Sequence, residues 1–366
     1  MKQIQDYFVP WLKGIKMYIS PQCELAWQDP KLHRMMHNEN PYGPSPKVLE
    51  AITKYAEKGN RYPDQGTVVR SKIAEINKLD GPENVLLGNG SCEIVDMIFR
   101  SFLEVGQEVI EQTPCFNIYN LRCHVLGGKL VSVPMIYKDK QLLFDPQGIM
   151  NAITPKTKVI VVAHPNNPSG NFMDTESFIK IAETGIPFMI DEAYVEYSGL
   201  EKSHVQLTRK YKNVIVTRTL SKAYGLAGMR FGYALADKAV IERFSATLIP
   251  WNVGTIIMWT ALAALEDTEG LQKRIAFNNG EIKFIEESLS DIPGLTIFHS
   301  HANYLLFDGG AAGKIGRELV DYARQNGLLF SGQAEMYGSK GFFRLSLGSK
   351  EENRMAVKVI KEFFSR

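Results

Sequence analysis

From about residue 60 the chain alternates short apolar runs with helical stretches, and this alternation limits the folds open to it. The runs at 84–87, 108–111, 129–136, 159–163, 188–191, 214–217 and 231–236 are rich in valine, isoleucine, leucine and phenylalanine. Between them lie helical patterns, among them 91–102, 116–125 and 176–183. Runs that are apolar on both faces are strands buried between helix layers. The pattern predicts an α/β doubly wound fold, and such a sheet binds ligands beyond the carboxyl ends of its strands.

After residue 244 the texture changes. A long helical stretch at 254–292 is followed by strands at 296–298 and 304–307, a helix at 313–325, strands at 328–330 and 342–347, and a last helix at 351–364. This predicts a smaller α+β unit. A large domain at 46–260 and a small domain made of 1–45 and 261–366 are expected. The first 45 residues are irregular and aromatic, with Tyr7, Phe8, Trp11, Tyr18 and Trp27. Pro41, Pro44 and Pro46 exclude a helix across that junction, and Ser45 with Pro46 reads as the start of the helix that follows at 47–58.

Bulk properties exclude several classes. With 45% hydrophobic residues over 366 positions the chain can bury a core. Net charge is +2 with no basic block, so nucleic acid is not an expected partner. No apolar run reaches the roughly 18 residues of a membrane span. The N-terminus lacks an apolar signal core, so a cytoplasmic location is expected. The four cysteines show no Cys-x-x-Cys spacing, which predicts reduced thiols and no metal.

Each strand end carries a polar motif. Gly88-Asn89-Gly90-Ser91-Cys92-Glu93 is a Gly-rich turn opening a helix, where free N–H groups and the helix dipole suit a phosphate. It lacks the third glycine and the downstream acid of a dinucleotide site, which argues against a nicotinamide oxidoreductase. Phe116 follows the next strand, either as a core ring or as one stacked on a flat ligand. His164-Pro165-Asn166-Asn167-Pro168-Ser169-Gly170 is a rigid turn. Asp191-Glu192-Ala193-Tyr194 ends an apolar strand with a carboxylate that needs a partner. Last comes Thr219-Leu220-Ser221-Lys222, with Arg230 eight residues on. Burial and a neighbouring cation both lower a lysine pKa, which makes the amine nucleophilic. Ordinary turns could produce each motif singly. Together they supply a phosphate cradle, a stacking ring, an amide, a buried carboxylate, a phenol, a lysine and an arginine, the set that pyridoxal 5′-phosphate requires.

The order and wording of these segments resemble the fold-type I pyridoxal-phosphate-dependent aminotransferases, in the histidinol-phosphate aminotransferase-like branch. The resemblance also rests on Asn38-Glu39-Asn40-Pro41-Tyr42-Gly43-Pro44-Ser45, Asn60-Arg61-Tyr62-Pro63-Asp64 and Phe343-Arg344-Leu345-Ser346-Leu347-Gly348, and it spans about residues 37 to 350. It implies a mainly parallel seven-stranded sheet between helices in the large domain, a homodimer and a part in amino-acid biosynthesis. Lys222 would join the cofactor covalently and carry the proton between Cα and C4′. Asp191 would pair with the ring nitrogen, Tyr194 and Asn167 would hold O3′, and Phe116 would stack on the ring. Gly90, Ser91, Thr219, Ser221 and Arg230 would hold the phosphate, joined by Tyr62 from the partner subunit. Arg344 would bind the substrate carboxylate, with Asn303, Asn40, Tyr42 and Trp11 edging the substrate pocket. The activity implied is transfer of an amino group from an amino-compound donor to a 2-oxo acid by a ping-pong route.

Two departures bear on the substrate. Where the branch usually has an arginine this chain has Ser331, and Trp11 stands where a tyrosine is common. Both favour a donor less anionic at its far end, such as an aromatic or other 2-amino acid, over histidinol phosphate. Two alternatives stay open on the sequence: a decarboxylase or lyase on the same scaffold, and a non-catalytic pyridoxal-phosphate-sensing module.

Overall fold

The computed structural model describes residues 3–16 and 19–366. Tyr18 of the aromatic arm lies outside the described residues. The seven apolar runs form one sheet: β1 (Val85–Asn89), β2 (Glu108–Thr113), β3 (Lys129–Pro134), β4 (Thr157–Ala163), β5 (Phe188–Asp191), β6 (Val214–Thr219) and β7 (Phe231–Leu235). Their order is β1-β7-β6-β5-β4-β2-β3. Only β7 runs against its neighbours β1 and β6; β6 through β3 pair in parallel. The apolar residues of β4, β5 and β6 are buried on both faces. One apolar cluster, with Ile110, Ile160, Ile190, Val216 and Phe178, fills one face. Another, with Val109, Val161, Met189, Ile215 and Phe99, fills the other. Residues alternating along each strand supply the two clusters, as the period of two requires.

Parallel pairing sends β2, β4, β5 and β6 out of the sheet at one edge. The segments that follow them therefore converge, which is the physical reason that separate strand-end motifs form one site.

The C-terminal part has its own four-stranded antiparallel sheet: β8 (Thr296–Phe298), β9 (Tyr304–Asp308), β10 (Ser331–Gly332) and β11 (Phe342–Ser346), in the order β8-β9-β11-β10. Leu305, Phe307, Phe343 and Leu345 bury one face of it against helices that include Lys350–Phe364. Met35 joins this cluster, so the N-terminal segment packs with the C-terminal unit. His33–Arg34 also pairs in parallel with Leu328–Leu329.

The long helical stretch expected at 254–292 is two helices, α1 (Thr255–Glu266) and α2 (Thr268–Leu289). They break at Asp267, whose carboxylate accepts from the Gly270 N–H and caps the second helix. The helix Thr67–Ile76 and the hairpin of Ile136–Lys138 with Gln141–Leu143 are additions to the expected elements. All four thiols are unpaired. No helix among the described residues is long and apolar enough to cross a membrane.

Candidate active site

Lys222 lies just past the end of β6, half-buried, with its Nζ 3.0 Å from the His37 carbonyl oxygen. Burial is the main force on it, followed by the Arg344 guanidinium, with a smaller push from Arg230; together they lower its pKa from 10.5 to about 8. The cation foremost in tuning this lysine is thus Arg344, from the C-terminal sheet, rather than Arg230 of its own loop. The Tyr194 ring sits 5.6 Å from Nζ.

Asp191 ends β5 and is 4% exposed. Its Oδ2 accepts from the Tyr119 hydroxyl at 2.6 Å, and Oδ1 accepts from the Ala193 N–H at 3.2 Å. Burial raises its pKa while these hydrogen bonds oppose the rise. Among the described residues Asp191 enters no ion pair. A buried carboxylate in that position is suited to a ligand that brings its own N–H or positive charge. Tyr119 lies in the helix α3 (Ile118–Val125), one turn after Phe116, and the two rings meet edge to face at 5.8 Å. Sequence reasoning missed Tyr119. The signal was the spacing of three between Phe116 and Tyr119, which puts both rings on one side of the chain.

Asn167 and Tyr194 are each held by a different partner. Asn167 Oδ1 accepts from Arg344 Nη1 at 2.5 Å, leaving its amide NH2 as the group it offers. The Tyr194 hydroxyl accepts from Asn38 Nδ2 at 2.9 Å, and burial raises its pKa to about 12. Asn38 has a φ of +55° and is gripped by Ser346, whose hydroxyl bonds its N–H and its Oδ1 at 2.8 Å each. Arg344 Nη2 donates to the Met36 carbonyl at 2.7 Å. These bonds fasten the 36–38 segment between the two sheets.

The cradle is built from β1, β7 and the helix α4 (Ser91–Phe102). Gly90 has a φ of +78°, and a Cβ there would strike the Arg230 guanidinium. A Cβ on Gly232 would strike the backbone N of Ser91. Arg230 is exposed, its Nη1 donating to the Ala227 carbonyl at 2.9 Å. The hydroxyls of Thr219 and Ser221 are 2.8 Å apart. The helix N-terminus, two hydroxyls and a guanidinium therefore surround a space that suits a phosphate.

Asn303 and Asn40 spend their amides on backbone: Asn303 Nδ2 donates to the carbonyls of Asn38 and Glu39, and Asn40 Nδ2 to those of Lys222 and Ala223. Tyr42 packs edge-on against Phe277 at 4.9 Å. These three hold the 38–42 loop against the lysine segment. Two expected residues are not brought to the cluster. The Trp11 indole N–H donates to the Val125 carbonyl at 3.1 Å, at the far end of α3, and its ring lies over Gly127, where a Cβ would crowd it. Tyr62 is 78% exposed and stacks on exposed Trp251 at 4.3 Å. Beneath the site Arg218, 1% exposed, pairs with the fully buried Glu192 at 2.9 Å and ties β6 to β5. This pair was not expected from the sequence.

The comparisons with known proteins settle the family. Residues 31–360 match the family described as aminotransferase class I and II. The chain belongs to that family. Histidinol-phosphate aminotransferase of Lactiplantibacillus plantarum is 33% identical over 350 residues, covering 93% of this chain and 94% of its own. The enzyme of the same name from Methanocaldococcus jannaschii is 30% identical over 331 residues, covering 90% and 88%. Among solved structures, histidinol-phosphate aminotransferase from Sinorhizobium meliloti in complex with pyridoxal 5′-phosphate superposes with a TM-score of 0.88 at 26% identity, over 98% of both chains. This chain is a fold-type I transaminase dependent on pyridoxal 5′-phosphate, of the histidinol-phosphate aminotransferase-like branch. The residues present fit that cofactor: a cradle a Cβ would fill, a buried carboxylate without an ion pair, and a lysine with a lowered pKa.

Proposed function

We propose that this aminotransferase takes its amino group from histidinol phosphate and passes it to a 2-oxo acid, in two half-reactions at one site. The observation that carries the reading is Arg344. Its guanidinium stands beside Lys222, fixed by Asn167 and the Met36 carbonyl, where a donor's anionic group can be held while its amine meets the lysine. Curated relatives of 30–33% identity with that substrate in their names support the choice.

Pyridoxal phosphate, when bound, supplies an aldehyde carbon for the amino group and a ring that accepts electrons. Lys222 would hold that carbon until the donor's amine displaces it, and the freed amine would then serve as the base and acid that moves the donor's Cα proton. A pKa near 8 keeps part of the amine neutral and ready for this at ordinary pH. Asp191, oriented by Tyr119, would pair with the ring nitrogen. Tyr194 and the NH2 of Asn167 would hydrogen-bond O3′, and Phe116 would cover the ring face. Gly90, Ser91, Thr219, Ser221 and Arg230 would bind the phosphate. Asn303, Asn40 and Tyr42 act by positioning the 38–42 loop.

The reading includes a homodimer in the cytoplasm, a large domain at 46–260 and a small domain of 1–45 with 261–366. The exposed Tyr62–Trp251 stack supports an intersubunit role for Tyr62, which would reach the partner's cofactor phosphate. Trp11 could edge only a site that its arm reaches outside its own chain's cluster.

A second reading has a specific observation in its favour. Ser331 sits directly across from Arg344 in the β10–β11 pairing, so no second guanidinium stands there. That suits a donor with a single-charged carboxylate, such as an aromatic 2-amino acid. A donor panel tests the two readings. Histidinol phosphate and aromatic amino acids are mixed one at a time with cofactor-loaded protein, and loss of the bound cofactor's visible absorbance is followed. The first reading expects fastest conversion with histidinol phosphate; the opposite ranking sinks it.

A further inference from the structure

We propose that His37 is a specificity-determining residue whose imidazole donates a hydrogen bond to the anionic group of the amino donor held by Arg344. The inference rests on the amino-donor reading above and names a second contact in the same pocket.

Four observations bear on His37. Its peptide lies between the two functional cations: Arg344 Nη2 bonds the Met36 carbonyl at 2.7 Å and Lys222 Nζ bonds the His37 carbonyl at 3.0 Å. Its side chain is the half-exposed one in a run whose neighbours Met35, Met36 and Asn38 are all at most 2% exposed. The ring is oriented from the N-terminal arm, where the Ser20 hydroxyl lies 2.6 Å from Nε2. Ser20 is itself fixed, since it caps the helix Pro21–Gln28 by accepting from the Cys23 N–H. The ring's other nitrogen, Nδ1, has no hydrogen-bond partner among the described residues.

The electrostatics agree. Burial is the first cause that lowers the imidazole pKa, and Arg344, Lys222 and Arg34 add to it while Glu39 opposes. Arg34 is already paired with Glu39 at 2.7 Å. A neutral imidazole among cations is a hydrogen-bond donor that an arriving anion strengthens. Ser331, which carries no charge, stands across from Arg344, and its hydroxyl accepts from Gln333 Nε2 at 3.1 Å. The His37 imidazole, which feels both Arg344 and Lys222, would share the anion with Arg344.

The test compares kcat/KM for histidinol phosphate, phenylalanine and histidinol in the wild type, His37→Ala, His37→Gln and Ser20→Ala proteins. The phosphate and carboxylate arms separate the two kinds of anion, and histidinol has neither. In His37→Ala the ratio of an anionic donor to histidinol should fall about tenfold, the low end for a hydrogen bond to a charged group. The fall should appear in KM, recover in part in His37→Gln, and follow more weakly in Ser20→Ala. The donor whose ratio falls identifies the anion bound. An unchanged ratio, or an equal loss with histidinol, overturns the inference. Loss of bound cofactor in both His37 variants overturns it as well, because His37 is then part of the scaffold. Failure of the wild-type protein to convert any of the three donors is a different result: it removes the amino-donor reading itself.

Discussion

Replacing Tyr119 by phenylalanine deletes a single hydroxyl, yet it should slow the chemistry and leave the fold intact. That hydroxyl is buried and donates to Asp191 Oδ2 at 2.6 Å. Burial pushes the Asp191 carboxyl pKa up, and the Tyr119 bond is the first of the interactions that hold it down. A hydrogen bond to a charged group contributes about 1.5–3 kcal/mol, so its loss should raise the carboxyl pKa by roughly one to two units. A buried carboxyl that is easier to protonate would hold the ring nitrogen's positive charge for a smaller share of the time, and the ring would then accept negative charge less readily. The donor half-reaction should therefore slow about 10- to 100-fold. Single-turnover mixing of cofactor-loaded protein with excess donor measures this step. The loss should lie in the limiting rate, with little change in the donor concentration at half-saturation, since Tyr119 does not reach the donor's anion. A rate within twofold of wild type, in a variant that still loads cofactor, would refute the claim that Tyr119 sustains the Asp191 charge.

Three further outcomes are expected. The folded Lys222 pKa of about 8 lies below its ordinary 10.5, so the native state binds fewer protons than the unfolded chain between those values. Lys222 should accordingly contribute stability to the cofactor-free protein as pH rises from 8 toward 10.5, and Lys222→Met should remove that contribution, read as the difference between the two proteins in urea titrations at stepped pH. Arg344→Ala should cost about 3 kcal/mol of donor binding, roughly a hundredfold in KM, as expected for a fixed guanidinium facing a buried anion. It should also shift the cofactor's visible band, because Asn167 loses its partner. Ser331→Arg places a second guanidinium opposite Arg344 and should raise the preference for phosphorylated over carboxylate donors by about tenfold in a kcat/KM comparison.

Much of this was legible in the sequence for a physical reason. Strands buried on both faces must be apolar throughout, so a polar residue at the end of such a run, like Asp191 or Thr219, marks where the chain leaves the sheet. Parallel pairing then collects those ends. Lys222, Asp191, Asn167, Tyr194 and the Gly90 turn could be placed together on that basis alone. Contacts made across the fold were less visible. Tyr119 reads as one more core aromatic in a helix, and only the position of Asp191 above it reveals its task. Arg344 outranks Arg230 as the cation beside Lys222, although Arg230 is near in sequence, because β11 brings it over the strand ends. Trp11 lies away from its own chain's cluster because its arm docks over Gly127, a contact that no local pattern encodes. The break at Asp267 was readable in hindsight, since an aspartate three residues before a glycine N–H it can accept from is a helix start.

The measurement that bears most directly on the account is borohydride reduction followed by peptide mass mapping, done before and after adding excess amino donor. Reduction before the donor should fix the cofactor's mass on the peptide that carries Lys222. Reduction after the donor should leave that peptide unmodified, because the cofactor has then left the lysine carrying the amino group. Cofactor mass on another lysine, or equal labelling of Lys222 before and after every donor tried, would contradict the central claim that Lys222 is the lysine of a working aminotransferase.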